Sequence, residues 1–404
     1  MKRGLAATAA ALVALGASAA EGDDADFAAS KGSALEAQLR ERLKARIRTI
    51  PGTDTEFLVG GYLQLDGIAS RKKQDGGEQN TFIVSTTPFG PADADYRLSI
   101  RQSSFQWLSR TPTSIGDVWT RLEANLFPLD GKTAPELNQL YVRFGDWLIV
   151  GKTYSTFMDD GALPTTLDYN GPSGVTFVRQ WLARASVPLG SGWALQASVE
   201  ESQADLSGGG ELFSVHAEAQ RPDLAARVRW EGDAGHAQLA GLSRSIDVTG
   251  ESPFGTRTRH VNGTGVSLSG SLNVFSDDTV TWQAATGTGV GRYFNDPLSA
   301  TGVALGSDRR FDLLRSSGVT LYYQHKWTPE WMTVAGASTL WVGTDGLRRP
   351  DELQRVIYAS VNLVHRLTPT LIVGGEVLWG EATQVGGASA TNVRVQLSVR
   401  YLVF

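Results

Sequence analysis

The sequence predicts an all-β chain: a sixteen-stranded antiparallel transmembrane β-barrel with a short periplasmic helix ahead of it. Three observations carry this. The final stretch places Val393, Val395, Leu397, Val399, Tyr401 and Val403 in alternation with Arg394, Gln396, Ser398 and Arg400, and it stops at Phe404. A period of two with one face wholly apolar suits a strand between lipid and water. The composition, with 45 glycines, 11 tryptophans and 10 tyrosines against three methionines, is that of many strands joined by Gly, Pro and Asp turns. Tryptophans also cluster at the turns: Trp147, Trp193, Trp230, Trp282, Trp327 and Trp331 beside tight ones, Trp341 and Trp379 toward the opposite ends. Two interfacial aromatic girdles need that placement, and a soluble sandwich has little use for it.

Residues 1–19 read as a secretory signal peptide, with basic Met1-Lys2-Arg3, an apolar Gly4–Gly16 core and a small-residue Ala17-Ser18-Ala19 cleavage site. A strand ending in a terminal aromatic resembles the insertion signal of bacterial outer-membrane barrels. The expected location is therefore the outer membrane, among lipid and lipopolysaccharide. The chain has no cysteine, which removes lipid attachment after the signal, disulfides and thiolate metal sites. No run of 18 apolar residues offers a transmembrane helix. A mean hydropathy of −0.16 is compatible with a barrel, because half of each strand is polar. The net charge of −5 gives no reason to expect nucleic acid.

Residues 20–54 form a periplasmic helical segment and linker. Leu35, Leu39, Leu43 and Ile47 make one stripe on a helix over 33–48, and Pro51-Gly52 ends it. Their spacing of four drifts around a helix instead of holding a heptad seam. The barrel occupies 55–404. Alternating segments number seventeen, whereas a barrel with both ends in the periplasm needs an even count. Tight turns at Gly145-Asp146-Trp147, Gly190-Ser191-Gly192, Ser276-Asp277-Asp278, Thr328-Pro329-Glu330 and Thr368-Pro369 give each strand a direction. The directions clash only around 202–222, so Glu211–Gln220 is assigned to one long outer loop, leaving sixteen strands.

The connection after the fifth strand, about 155–173, carries Asp159, Asp160 and Asp168 and is the third outer loop. Long loops without secondary structure are usually functional, and this one is expected to fold inward and set a constriction. On the wall, the period of two turns Tyr62, Gln64, Asp66, Arg97, Arg101, Arg121, Glu123, Asn125, Gln139, Tyr141 and Arg143 toward the lumen. Arg184, Arg227, Arg229, Glu376, Arg394 and Arg400 follow, and Lys152 and Arg179 flank the third loop. A basic side chain facing lipid costs about 2–4 kcal/mol near the midplane, so these arginines should point inward. There they would concentrate anions and repel cations, and each guanidinium fork matches a carboxylate. The alternative is that they pair with Asp66, Glu123 and Glu376 merely to stiffen the wall.

An outer-membrane hydrolase would need a nucleophile beside a base. His216, His236, His260, His325 and His365 stand near no recognisable serine motif. A purely structural or adhesive barrel is the third possibility, and the excess of interior arginine speaks against it. Neither cofactor nor metal is expected.

Several pieces in shared order resemble the DcaP-like family of trimeric outer-membrane porins, from about Ile50 to Phe404. They are Ile50–Thr55 with Gly60–Asp66, Val150–Asp159, Asp168 through Gly171-Pro172 to Phe177 and Arg179-Gln180, Pro222-Asp223-Leu224, Gly287–Tyr293 and Tyr323–Pro329. The resemblance implies a sixteen-stranded homotrimer admitting small negatively charged compounds such as dicarboxylates. It also implies an N-terminal helical segment of the kind proposed to form a coiled coil. Gln64 stands where relatives look basic.

Overall fold

The computed structural model describes residues 46–403 apart from 76–78, 129–130, 203–205, 208–214, 219–220, 253–254, 276, 297–302, 306–310 and 345–347. Sixteen wall strands follow in chain order. The first eight are β1 (Glu56–Ser70), β2 (in two pieces, Asp95–Ser99 and Ser104–Thr113), β3 (Gly116–Asn125), β4 (Glu136–Phe144), β5 (Leu148–Tyr154), β6 (Arg179–Gly190), β7 (Trp193–Glu200) and β8 (Asp223–Gly232). The rest are β9 (Gly235–Ser252), β10 (Gly255–Val274), β11 (Asp278–Thr288), β12 (Arg315–Lys326), β13 (Trp331–Val342), β14 (Leu353–Thr368), β15 (Leu371–Gln384) and β16 (Ser389–Leu402). Each pairs antiparallel with its neighbours, and β1 closes the barrel on β16 from Tyr62↔Leu402 to Ser70↔Arg394. Closure removes the free edges, so every strand's backbone groups find partners without water.

Short turns lie at the end that carries the start of β1 and the end of β16. The opposite rim carries outer loops L1 (71–94), L2 (126–135), L3 (155–178), L4 (201–222), L6 (289–314) and L7 (343–352). Trp147, Trp193, Trp327 and Trp331 are exposed on the outer wall beside the short turns, and Trp341 and Trp379 near the other rim. Strand β2 breaks at 100–103, where Leu126 N–H donates to Arg101 O across the gap. Opposite the break, Gly61 (φ 134°) has no room for a side chain, since a Cβ there would lie 2.1 Å from Ser104 O.

The outer face is largely apolar, with Val59, Leu63, Leu65, Leu397, Val399 and Tyr401 all exposed. The inner face is divided. Many inward positions on β13–β15 are apolar too, including Met332, Val334, Leu340, Val356, Tyr358, Ile372 and Leu378, with Ser338, Ser360, Asn362 and Glu376 among them. The apolar ones form one buried cluster with Phe82 and Val84 of L1, Phe157 and Leu167 of L3, and Val290, Tyr293 and Phe294 of L6. Each such buried side chain contributes about 1.5–3 kcal/mol, enough together to hold three loops inside the barrel.

Three details depart from expectation. Strand β12 begins at Arg315, because Phe311–Leu313 instead pairs with Val303–Leu305, which also pairs with Leu206–Ser207, in a small separate sheet of the outer loops. Within the long outer loop, Val215–Glu218 adds a short strand to β9 beyond the end of β8. Of the helix expected over 33–48, residues 33–45 fall outside the described residues, as does the signal peptide. Its expected end is not helical, because Arg48–Thr49 is extended and pairs with Phe57 and Glu56.

Candidate functional site

Loop L3 crosses the interior and is tied to the wall at successive points. Ser155 Oγ and Thr156 N–H donate to Glu200 on β7 at 2.6 and 2.8 Å. Arg184 on β6 donates to Thr156 Oγ1 at 2.8 Å and to the carbonyl of Tyr154. Arg227 on β8 reaches Met158 O at 2.9 Å. Asp159 accepts from Arg229 (2.9 Å) and Ser269 (2.7 Å), with His236 Nε2 3.1 Å from both its oxygens. Farther along, Glu376 on β15 accepts the N–H groups of Leu167 and Asp168, both at 2.8 Å. Gln102 and Gln396 donate to Leu167 O at 2.9 and 2.7 Å. Gly174 then passes so close to β13 that a Cβ would sit 2.3 Å from Thr339 O.

Asp168 joins L1 to this scaffold, accepting Phe82 N–H at 2.8 Å and Thr81 Oγ1–H at 3.0 Å. Asp296 joins L6, accepting from Ser85 of L1 and, at 3.1 Å, from Ser173 of L3. Burial alone would push the Asp159 carboxyl up. The hydrogen bond with His236 and the Arg229 charge outweigh it and hold Asp159 below the usual carboxylate range.

The space that remains runs along β1–β5 and β16. One cavity is lined by Tyr62, Glu123, Asn138, Tyr154 and Arg400, among others. A second includes Phe127, Glu136, Arg292 and Phe294 in its lining. Tyr169, Asn170, Phe177, Arg179 and Asn295 line both, so the narrows between the cavities lies among these five side chains.

The expected site residues separate by what they touch. Arg97 forks onto Asp95 at 2.8 and 2.8 Å. Arg121 pairs with Glu123 at 2.7 Å, and Glu123 also accepts from Gln139 at 3.0 Å. Arg101 lies in the break of β2, stacked 4.2 Å over Phe127 and donating to the carbonyl of Pro128. Arg143 stands toward the short-turn end, 5.2 Å over Trp119. Arg184 and Arg227 hold the start of L3. Arg394 is buried against Ser70, Gln74 and Asp168 (3.6 Å). Asp159 and Asp168, expected as constriction charges, have fully buried side chains and act as loop anchors, whereas Asp160 is exposed.

One assignment is corrected. Lys152 does not line the lumen: its direct cross-strand partners, Leu140 and Trp181, are both exposed on the outer wall. Gly151 takes the inward position opposite Tyr141, where a Cβ would lie 2.6 Å from Tyr141 Cα. The Lys152 ammonium reaches back along the wall to Leu137 O at 2.7 Å, the snorkelling expected of a lysine on an apolar surface.

Arg179 differs from all of these. Like Arg184 and Arg227 it has no ion pair among the described residues, but it holds no loop carbonyl: its guanidinium donates to Tyr169 Oη at 3.2 Å and lies 5.1 Å over Phe177 and 5.9 Å from Tyr154. Strand periodicity missed Tyr169, Asn170, Phe177, Arg292 and Asn295, because residues in irregular loops carry no periodic signal. The stretches matched at Asp168–Gln180 and Gly287–Tyr293 took in Tyr169, Asn170, Phe177 and Arg292, and nothing in the sequence marked Asn295. Among the described residues, no group of three His, Asp or Glu side chains is placed to hold a metal ion.

Comparison with known proteins agrees with this architecture. The model of the DcaP outer membrane protein family matches residues 99–403. The outer membrane channel DcaP of Acinetobacter baumannii superposes with a TM-score of 0.78 at 17% identity, covering 88% of this chain and 99% of that one. An anion-selective porin from Comamonas acidovorans gives 0.56 at 11% identity, covering 86% and 99%. The trimer form of OmpT, an outer membrane protein of Vibrio cholerae, gives 0.51 at 11% identity, again covering 86% and 99%. No curated protein matches the sequence. At these identities the solved structures speak for the fold, and the family match speaks for kinship: the chain belongs to the DcaP outer membrane protein family, a barrel channel of the outer membrane.

Proposed function

We propose that the channel passes small anionic solutes, dicarboxylates among them, by passive diffusion. The observation that carries this is Arg179, a guanidinium with no carboxylate at ion-pair distance among the described residues, at the narrows shared by the two cavities. A unit charge about 5 Å away changes an ion's energy by roughly 3 kcal/mol at an effective dielectric of 20, with opposite sign for anion and cation. The carboxylates nearby are weaker contributors. Glu123 is paired with Arg121, and among the described residues lining the second cavity Glu136 is the one carboxylate. The anion selectivity of the Comamonas porin supports the reading through a shared fold.

A hydrolase finds no support in the interior. Ser269 and His236 both bind the same Asp159 carboxylate, so the imidazole is not placed to deprotonate the serine. Residues 1–19 would be removed on export. The wall of one barrel would pack on two others in a homotrimer, as the trimer form of the Vibrio protein does. The deciding experiment is the reversal potential of the purified protein in a planar bilayer under a potassium chloride gradient. Anion preference that falls sharply in Arg179→Gln supports the proposal, and preference for potassium overturns it.

A further inference from the structure

Tyr169 is the second half of an anion site, and its chemistry follows from bookkeeping at one oxygen. A phenol oxygen has two acceptor positions and one proton. Asn125 Nδ2 donates to Tyr169 Oη at 2.7 Å, and Arg179 Nη2 donates at 3.2 Å. The direction of the first bond is not free, because Asn125 Oδ1 is already taken by Phe127 N–H at 3.0 Å, which turns the amide nitrogen toward the phenol. Both acceptor positions are therefore occupied by donors, and the Tyr169 proton has to find an acceptor elsewhere. The ring cannot swing away, being stacked on Phe127 with centroids 4.0 Å apart and planes at 13°. Tyr169 is only half-buried and lines both cavities.

We infer that Tyr169 Oη–H and the Arg179 guanidinium form one oxyanion-binding subsite at the narrows, taking a carboxylate by one hydrogen bond from the phenol and one or two from the guanidinium. Asn125 is the positioning residue: by filling an acceptor site on the phenol, it leaves Tyr169 to serve as a donor. This inference rests on the anion-channel reading but divides its work. The Arg179 charge sets preference for anions in general, chloride included, whereas the oriented phenol distinguishes a carboxylate oxygen acceptor from a weakly directional ion. A hydrogen bond to a charged group is worth about 1.5–3 kcal/mol, so losing it weakens carboxylate binding roughly tenfold or more.

The test compares wild type, Tyr169→Phe and Arg179→Gln in planar bilayers, reading the chloride-to-potassium permeability ratio and the block of chloride current by added succinate. Tyr169→Phe keeps the stacked ring. It should keep the permeability ratio while raising the succinate concentration for half-block about tenfold, whereas Arg179→Gln should lower both. Unchanged succinate block in a folded Tyr169→Phe barrel overturns the subsite and leaves the anion channel standing. Potassium preference in the wild type overturns the anion channel itself. Should Tyr169→Phe not fold, Asn125→Asp serves, since the new carboxylate would accept the phenol proton. At about 1 M salt the added charge is screened within roughly 3 Å, and the same loss of succinate block is expected there; full retention would overturn the subsite.

Discussion

Replacing Asp159 by alanine removes the anchor at the start of L3 and tests whether named bonds or general crowding keep that loop inside the barrel. The Asp159 side chain is fully buried and receives Arg229, Ser269 and His236. Truncating one member of a buried, hydrogen-bonded charge pair costs about 3–5 kcal/mol, mostly because the partner is left uncompensated. At about 1.4 kcal/mol per factor of ten, that loosens the opening equilibrium of the local segment by roughly two to three and a half orders of magnitude. The flanking ties remain, with Thr156 on Glu200 and Leu167 and Asp168 on Glu376. Opening should therefore be confined to about 157–164. Hydrogen–deuterium exchange read by mass spectrometry on peptides spanning that stretch should accelerate by at least a hundredfold in Asp159→Ala, while peptides from β13–β16 stay protected. Asp159→Asn, which keeps acceptor and shape, should fall between. The anchor faces β8–β10, across the lumen from the passage, so the permeability ratio should hold. Exchange within threefold of wild type in a folded variant would show that packing, not the carboxylate, retains the loop.

Other expectations follow from the same geometry. Gly174→Ala puts a methyl 2.3 Å from Thr339 O, so L3 must shift off β13 toward the passage along β1–β5, and single-channel conductance should fall. Lys152→Ala should leave the chloride-to-potassium ratio unchanged, because the side chain stands on the outer wall with Leu140 and Trp181; a fall like that of Arg179→Gln would mean it faces inward. The Asp159 carboxyl is held below the ordinary value of about 3.9. Its stabilising contribution is then complete above that ordinary value and is lost only as pH falls through the lower folded one. The 13C shift of its carboxyl carbon should therefore remain that of an ionised group from pH 7 to about pH 4.5.

The wall was legible because lipid imposes a period of two and closure imposes an even count, and both constraints act on every strand. Reassigning 211–220 to a loop came from those constraints alone. The interior was less legible because the alternation argument assumed water throughout it. Met332, Val334, Val356 and Tyr358 were apolar at inward positions in plain view, and a strand apolar on both faces is a strand buried on both. The roles of the arginines were hidden for a different reason. Arg101 and Arg227 end on backbone carbonyls of L2 and L3, and Arg184 on that of Tyr154 where β5 gives way to L3, and no periodicity in the sequence encodes where a loop will present its carbonyls. Lys152 was misplaced because β5 is short and its glycine at 151 obscures the phase.

The pairing of most interior arginines fits transport better than an open ring of charges would. A channel must release what it attracts. One unpaired guanidinium at about 4 Å from a carboxylate offers roughly 4 kcal/mol at an effective dielectric of 20, which corresponds to a dissociation constant of about 1 mM. A second one reaching the same dicarboxylate would bring this toward about 8 kcal/mol and the micromolar range, and exit would slow accordingly. Pinning Arg184, Arg227 and Arg394 to L1, L3 and the wall spends their donors on building the narrows, leaving Arg179 exposed to the solute beside Tyr169. Loops L1, L3 and L6 fill the β13–β15 side with apolar side chains, which leaves the solute the opposite wall, where Arg179 stands between Arg400 of one cavity and Arg292 of the other. In the proposed anion channel the plug would thus bring the solute past Arg179, and the pairing of the other arginines would let it leave.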